Sequence, residues 1–191
     1  MDVKDKEPTL LSLVIPFFNE EEIVSKFEKR LTSVLDQVDE HVEIIAVDDG
    51  SIDGTLLELK EWHRRDLRLK IVQLSRNFGH QNAFNAGLDL ANGDAVILMD
   101  GDLEDPPELI PELITWWKAG FSTVYTVKET RHQTWLKRSL TNGYYSLIRR
   151  FTKYGVERQA GMYSLIDRKV ANVLRSMREV GKSYPNLRSM V

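Results

Sequence analysis

No cysteine occurs among the 191 residues. A disulfide framework and a thiolate site are therefore both excluded, and a reducing cytosolic setting fits. No apolar run approaches the roughly 20 residues needed to span a bilayer. The first ten residues are charged and do not read as a signal peptide. No GxGxxG follows the first apolar run and no GxxxxGK[ST] occurs anywhere, which weighs against dinucleotide binding and P-loop hydrolysis. Internal repeats and low-complexity stretches are absent too. The length suits one domain with a substantial core.

Acidic residues are themselves missing from one long stretch. Residues 130–156 contain no Asp or Glu but carry Arg131, Lys137, Arg138, Arg149, Arg150 and Lys153. The formal net charge of −3 hides this division: residues 1–129 hold 26 acidic against 13 basic side chains, and residues 130–191 hold 3 against 13. Such asymmetry suits a protein that meets a cation on one side and an anionic surface on the other, or one whose halves complement each other.

What is present alternates. Short β-branched runs at 10–16, 42–47, 69–74 and 95–99 read as buried strands. Between them, amphipathic helices are expected over 21–38, 54–64 and 80–91; in the first, Ile23, Phe27, Leu31, Val34, Leu35 and Val38 share one face. Further on, a helix is expected over 108–119 with Leu109, Leu113, Trp116 and Trp117 on its buried side. A strand at 122–127, a basic aromatic helix over 135–151, a strand at 160–166 and a helix over 168–177 complete the reading. Alternating strands and helices predict an α/β domain whose mostly parallel central sheet is flanked by helices, with ligands beyond the carboxyl ends of the strands.

Unusual polar clusters fall at those ends. Asp100-Gly101-Asp102 closes an apolar run, and Glu104 and Asp105 follow before Pro106-Pro107. Two carboxylates on one side of an extended segment, beside a glycine small enough to admit a ligand, suit a hard divalent ion such as Mg²⁺ or Mn²⁺ that also binds phosphate oxygens. An exposed loop with Asp105 as a helix cap is the competing reading. Asp48-Asp49-Gly50 ends the second strand, where acids can accept from a base edge or ribose, or cap the next helix. Asp53-Gly54 reads as turn and capping chemistry. His80, in the segment SRNFGHQ, suits either a diphosphate contact or a local hydrogen bond.

Four stretches taken together, VIPFFNEEE at 14–22, VDDGSIDGT at 47–55, LSRNFGHQNAFNAGLDLANGDAVILMDGDLEDPPELIP at 74–111 and LIDRKV at 165–170, resemble the family 2 glycosyltransferases. They are most similar to the branch that uses polyisoprenyl phosphates, which includes dolichol-phosphate mannose synthases and bacterial enzymes that load undecaprenyl phosphate. The resemblance implies a GT-A type, Rossmann-like fold and an inverting, metal-dependent transfer of a sugar from a nucleotide-diphosphate sugar, with a UDP-sugar preferred. It places Asp100, Asp102 and Glu104 at Mg²⁺ or Mn²⁺, and Pro16, Asn19, Glu20, Asp48, Asp49 and Arg76 at the nucleotide. It assigns Asp100 and Asp102 to catalysis, joined by Arg168, and sets Arg168 and Arg188 as candidates for the acceptor phosphate. The chain departs from the family segment AGDFRLMDRR at Met162, Tyr163 and Ser164, which stand where an acid, a Phe and an Arg are usual. That departure leaves a non-catalytic nucleotide-sugar-binding or scaffold protein as the alternative.

The resemblance further implies a single catalytic domain over 1–191, cut before C-terminal transmembrane helices, in a protein anchored at the cytoplasmic face of a membrane. Trp135, Tyr144, Tyr145, Phe151 and Tyr154 interleave with the cations of the acid-free stretch, a composition suited to an anionic membrane surface. The same aromatics also suit packing against the core or a homo-oligomer contact. Nucleic acid is not an expected partner, because the earlier two thirds of the chain is strongly acidic.

Overall fold

The computed structural model of the chain describes residues 9–127 and 160–177. Six strands form one sheet: β1 (Leu10–Phe17), β2 (His41–Asp48), β3 (Leu69–Gln73), β4 (Ala95–Leu98), β5 (Thr123–Val127) and β6 (Ala160–Asp167). They lie in the order β3-β2-β1-β4-β6-β5. β1 pairs parallel with β2 and β4, and β2 with β3, whereas β6 runs antiparallel to both β4 and β5. The expected mostly parallel sheet is thus present, with β6 as its one reversed strand.

Helices α1 (Glu21–Leu35), α2 (Thr55–Arg65) and α3 (His80–Leu90) are the crossovers, and α4 (Ile110–Lys118) and α5 (Arg168–Ser176) follow the later strands. Side-chain alternation along the strands sorts the core into two layers. Leu11, Leu13, Ile15 and Phe17 point to one face, where they pack with Phe27 and Leu31 of α1, Trp62 of α2 and Leu113 of α4. Val14, Ile45 and Val47 point to the other, against Phe84 and Leu88 of α3 and Val170 and Leu174 of α5. Burying both faces is why the strands read as continuous apolar runs.

Two expected details differ. α1 stops at Leu35, so Val38 packs on the core from beyond the helix. The expected helix over 108–119 begins as a 3₁₀ turn at Pro107–Leu109, and Trp116 is half exposed, edge-on to Phe121. Ile110, Leu113 and Ile114 are the buried residues of α4, and Leu109 and Trp117 pack on the core partly buried. The basic aromatic helix expected over 135–151 and Arg188 lie outside the described residues.

Strand order reverses between β1 and β4: β1 leads outward to β2 on one side, and β4 lies on its other side. The crevice beyond the carboxyl ends of such neighbours is where open α/β sheets hold ligands.

Candidate active site

A cleft opens at that position, lined by Pro16, Phe17, Phe18, Glu20, Asp49, Asn77, His80, Asp100, Gly101 and Asp102. It gathers five of the sequence-predicted residues, namely Pro16, Glu20, Asp49, Asp100 and Asp102. Asn19, Asp48, Arg76, Glu104 and Arg168 are not part of its wall.

The wall is built by loops that bond to one another. Asn19 adopts φ 56, a conformation uncommon outside glycine but tolerated by Asn. Its backbone N–H donates to Ser51 Oγ at 3.0 Å and its Oδ1 accepts from Ile52 N–H at 3.0 Å. Next to it, Glu20 N–H donates to Thr55 Oγ1 at 2.7 Å, while Gly54 N–H donates to Glu21 Oε2 at 2.5 Å. Asn19, expected at the nucleotide, therefore ties the β1–α1 loop to the β2–α2 loop. Asp53 accepts from the backbone N–H and hydroxyl of Thr55 at 3.0 and 2.6 Å, as its turn chemistry predicted.

The acids after β2 divide. Asp48 is fully buried; its Oδ1 accepts from Ser51 N–H at 3.1 Å, and Oδ2 has no hydrogen-bond partner among the described residues. Asp49 instead accepts from Phe78 N–H and Gly79 N–H. Between them and the β3–α3 loop, Gly50 has φ +69, and a Cβ there would lie 2.3 Å from the carbonyl carbon of Arg76. Only glycine lets the two backbones meet. Arg76 itself is exposed, with its guanidinium 4.2 Å from the centre of the Phe78 ring.

At the end of β4, Asp100 N–H donates to Asp105 Oδ2 at 3.1 Å, and Asp102 Oδ1 accepts from Glu104 N–H at 2.9 Å. Between the two acids, Leu103 is held at φ 66, a sparsely populated conformation of the kind that clusters at functional sites. Asp105, expected as a cap, folds back to Asp100, and the 3₁₀ turn after it begins without a side-chain cap. Gly101 lines the cleft, and a Cβ there would lie 2.5 Å from the Phe17 ring, so only glycine fits beside that ring. Glu104 is exposed and is not part of the cleft wall.

His80 at the start of α3 is half exposed and its Nε2 lies 2.5 Å from Asp100 Oδ1. That hydrogen bond holds the imidazole above its usual range against the opposing effect of burial, with Asp102 and Asp49 adding to the upward shift. Glu20 is pushed up by burial first, then by Asp102 and Asp53. The sequence offered a signal for His80, a polar residue just past a strand end in SRNFGHQ, but no local pattern paired it with an acid 20 positions away.

The donor set fits a hard divalent ion. Among the described residues no three His, Asp or Glu side chains converge as a metal cage. Asp100 and Asp102 each keep an Oδ2 that accepts no hydrogen bond there and both border the cleft, so an ion could take two carboxylate oxygens from the chain and complete its shell with phosphate oxygens and water.

Arg168 is elsewhere. Its guanidinium donates to Ala91 O at 2.9 Å and also to Gly93 O, in the turn that precedes β4. Because β6 is antiparallel to β4, with Asp167 opposite Ala95, the start of α5 falls at the amino end of β4. The length of that strand separates Arg168 from Asp100. The departure at 162–164 also resolves into packing. Tyr163 is 1% exposed and donates its hydroxyl to Pro106 O at 3.0 Å, and burial, then Asp105 and Glu108, raise its phenol. Ser164 is buried opposite Leu98, with its hydroxyl on Met162 O at 2.9 Å.

The sheet is an open α/β sheet with an acidic cleft at the point where its strand order reverses. Residues 12–175 match the model of glycosyl transferase family 2, and the chain belongs to that family. It is 42% identical over 170 residues to an uncharacterized glycosyltransferase, sll0501, of Synechocystis, covering 88% of this chain and 54% of that protein. A bactoprenol glucosyl transferase of Shigella phage SfV is 36% identical, over 88% of this chain and 55% of its own length. The chain thus spans about half the length of these curated relatives. Among solved structures, the mannosyltransferase PcManGT of Pyrobaculum calidifontis, in complex with GDP-Man and Mn²⁺, superposes with a TM-score of 0.65 at 19% identity, covering 97% of this chain and 51% of that one, a likeness of fold.

Proposed function

We propose that the chain is the catalytic part of an inverting glycosyltransferase that moves a hexose, or a hexose derivative, from a UDP-sugar to a polyisoprenyl phosphate such as undecaprenyl phosphate. The observation that carries this reading is the pair of cleft-facing carboxylates, Asp100 and Asp102, each with an oxygen open to a ligand at the switch point of the sheet. The bactoprenol glucosyl transferase relative supports a lipid acceptor.

In this reading Asp100 and Asp102 hold Mg²⁺ or Mn²⁺, which when bound offsets charge developing on the leaving nucleoside diphosphate. Glu20 and Asp49 border the same cleft, and buried Asp48 keeps an unpaired acceptor behind it. A lipid phosphate is already ionised at neutral pH, so the acceptor needs orientation and desolvation rather than a general base. The acid-free composition of 130–156 supports contact with an anionic membrane surface, and in this reading the enzyme works at the cytoplasmic face. Anchoring by a segment beyond this chain completes the proposal.

Calorimetry with UDP, GDP and their sugar conjugates, each with Mn²⁺ and with EDTA, tests the donor half. UDP-sugar binding that requires Mn²⁺ is the expected result. A folded sample that binds no nucleotide under either condition would refute it.

A further inference from the structure

Asp49 stands where the family resemblance puts a nucleotide contact, yet its carboxylate is already engaged. It is 3% exposed; Oδ1 accepts from Phe78 N–H at 2.8 Å and Oδ2 from Gly79 N–H at 3.0 Å. These amides belong to the two residues immediately before His80, and Gly79, at φ 90, is the residue from which α3 departs. The loop's backbone also meets Gly50, and Arg76 lies over the exposed Phe78 ring. Among the described residues the other side-chain bonds to the backbone of Phe78 and Gly79 are Asn77 Oδ1 with Gly79 N–H at 2.9 Å and Asn82 Nδ2 with Phe78 O at 2.7 Å, both from the turn's own neighbourhood. Asp49 is the side chain that fastens it to the sheet.

What the turn delivers is His80. The imidazole meets Asp100 Oδ1 at 2.5 Å and is steadied from behind by Phe84, edge-on at 4.7 Å between ring centres. Asp100 is held on its other side through its own N–H by Asp105. One oxygen of Asp100 is thereby fixed by His80 while the second is left to the cleft. Partners of a metal-binding carboxylate orient it and set its affinity.

We propose that Asp49 is a positioning residue: by clamping the Phe78–Gly79 amides it holds His80 against Asp100 and so orients Asp100 for the divalent ion, rather than contacting the nucleotide itself. The route runs from β2 through the backbone of the β3–α3 loop to the end of β4, three elements far apart in sequence. The inference rests on the metal role given to Asp100 in the proposed function.

The test compares wild type with Asp49→Asn, His80→Gln, the double variant and Asp100→Asn. Asn at position 49 keeps the shape but turns one acceptor into a donor facing a backbone N–H. Three readouts apply: Mn²⁺ affinity without nucleotide, amide exchange at Phe78 and Gly79, and the ¹⁵N resonance of the His80 ring at one pH in the metal-free chain. Asp49→Asn should weaken Mn²⁺ binding on the order of tenfold, speed exchange at both amides and move the His80 resonance toward its position in Asp100→Asn. The double variant should lose little more Mn²⁺ affinity than His80→Gln alone, as expected for residues acting in series.

Additive losses in the double variant would overturn the route through His80. Unchanged Mn²⁺ affinity with weakened nucleotide binding in EDTA would make Asp49 a direct ligand contact and overturn the proposal. An unmoved His80 resonance would do the same. If wild type binds no Mn²⁺ while the His80 resonance still responds to Asp49→Asn, the clamp stands and the metal-dependent function fails, which separates the two claims.

Discussion

At the amino ends of the strands, Glu43 is 6% exposed and every neighbour it needs is in place. Its Oε1 accepts from Ser12 Oγ at 2.5 Å and Asn92 N–H at 2.6 Å, its Oε2 accepts from Lys70 Nζ at 2.6 Å, and Ser12 Oγ in turn accepts from Gly93 N–H at 2.7 Å. At the carboxyl ends, Asp100 and Asp102 border an open cleft, each with an oxygen that has no partner among the described residues, beside a residue held at positive φ. The same side-chain chemistry serves opposite ends. A buried carboxylate with its hydrogen bonds complete fixes the fold, whereas carboxylates gathered at an open cleft keep oxygens for a ligand. Arginine follows the same division: Arg168 and Arg175 spend their guanidinium groups on the carbonyls of Leu88, Ala91 and Gly93 around the amino end of β4, while Arg76 lies exposed at the carboxyl side.

Breaking this contrast is most direct at Asp102. Asp102→Ala should lower metal-dependent sugar transfer on the order of 10³-fold and change stability by about 1 kcal/mol or less. Transfer assays at saturating donor, beside urea unfolding, read both. At the other end the effects should exchange places. Glu43→Ala leaves Ser12 and the Asn92 N–H without their acceptor and should cost about 3 kcal/mol, with the Mn²⁺ affinity of the folded fraction preserved; equal damage to both properties would dissolve the contrast.

A smaller loss is expected at Arg168. Arg168→Met should reduce stability by about 2 kcal/mol through its lost bonds to Ala91 and Gly93 carbonyls and leave kcat of the folded enzyme within a factor of about two. A large fall in kcat at unchanged stability would return Arg168 to catalysis.

The smallest effect is a pH dependence with a defined sign. Burial acts to raise the Glu43 carboxyl, but hydrogen bonds from Lys70, Ser12 and Asn92 outweigh it and hold the group below 4.5. A carboxyl depressed in the folded state contributes stability that is present above its unfolded value and is lost as pH falls through the folded one. Glu20 carries the opposite sign, since burial, Asp102 and Asp53 raise it above 4.5 and its protonation on acidification relieves the cleft. Unfolding of the metal-free chain from pH 7 to pH 3 should therefore show a wild-type acid loss that Glu43→Gln diminishes. An identical profile in that variant would remove Glu43 as its source.

The alternation of strands and helices was legible residue by residue, because burial on two faces of a sheet writes continuous apolar runs and helix packing writes a 3.6-residue period. That Asp100 and Asp102 would stand at an open strand end was legible for a related reason, since charge gathered there has no use in a core, and both border the cleft. Partnership was not legible. Asn19 and Asp49 look like ligand contacts in the chain, yet each is taken up by a loop 29 to 33 positions away. The reversal of β6 sends Arg168 to the far end of β4, and the Phe17 ring lies where a side chain at position 101 would project. Periodicity and charge clustering are local properties of the chain, whereas which acid keeps a free oxygen depends on which amides and rings the folded loops bring to it.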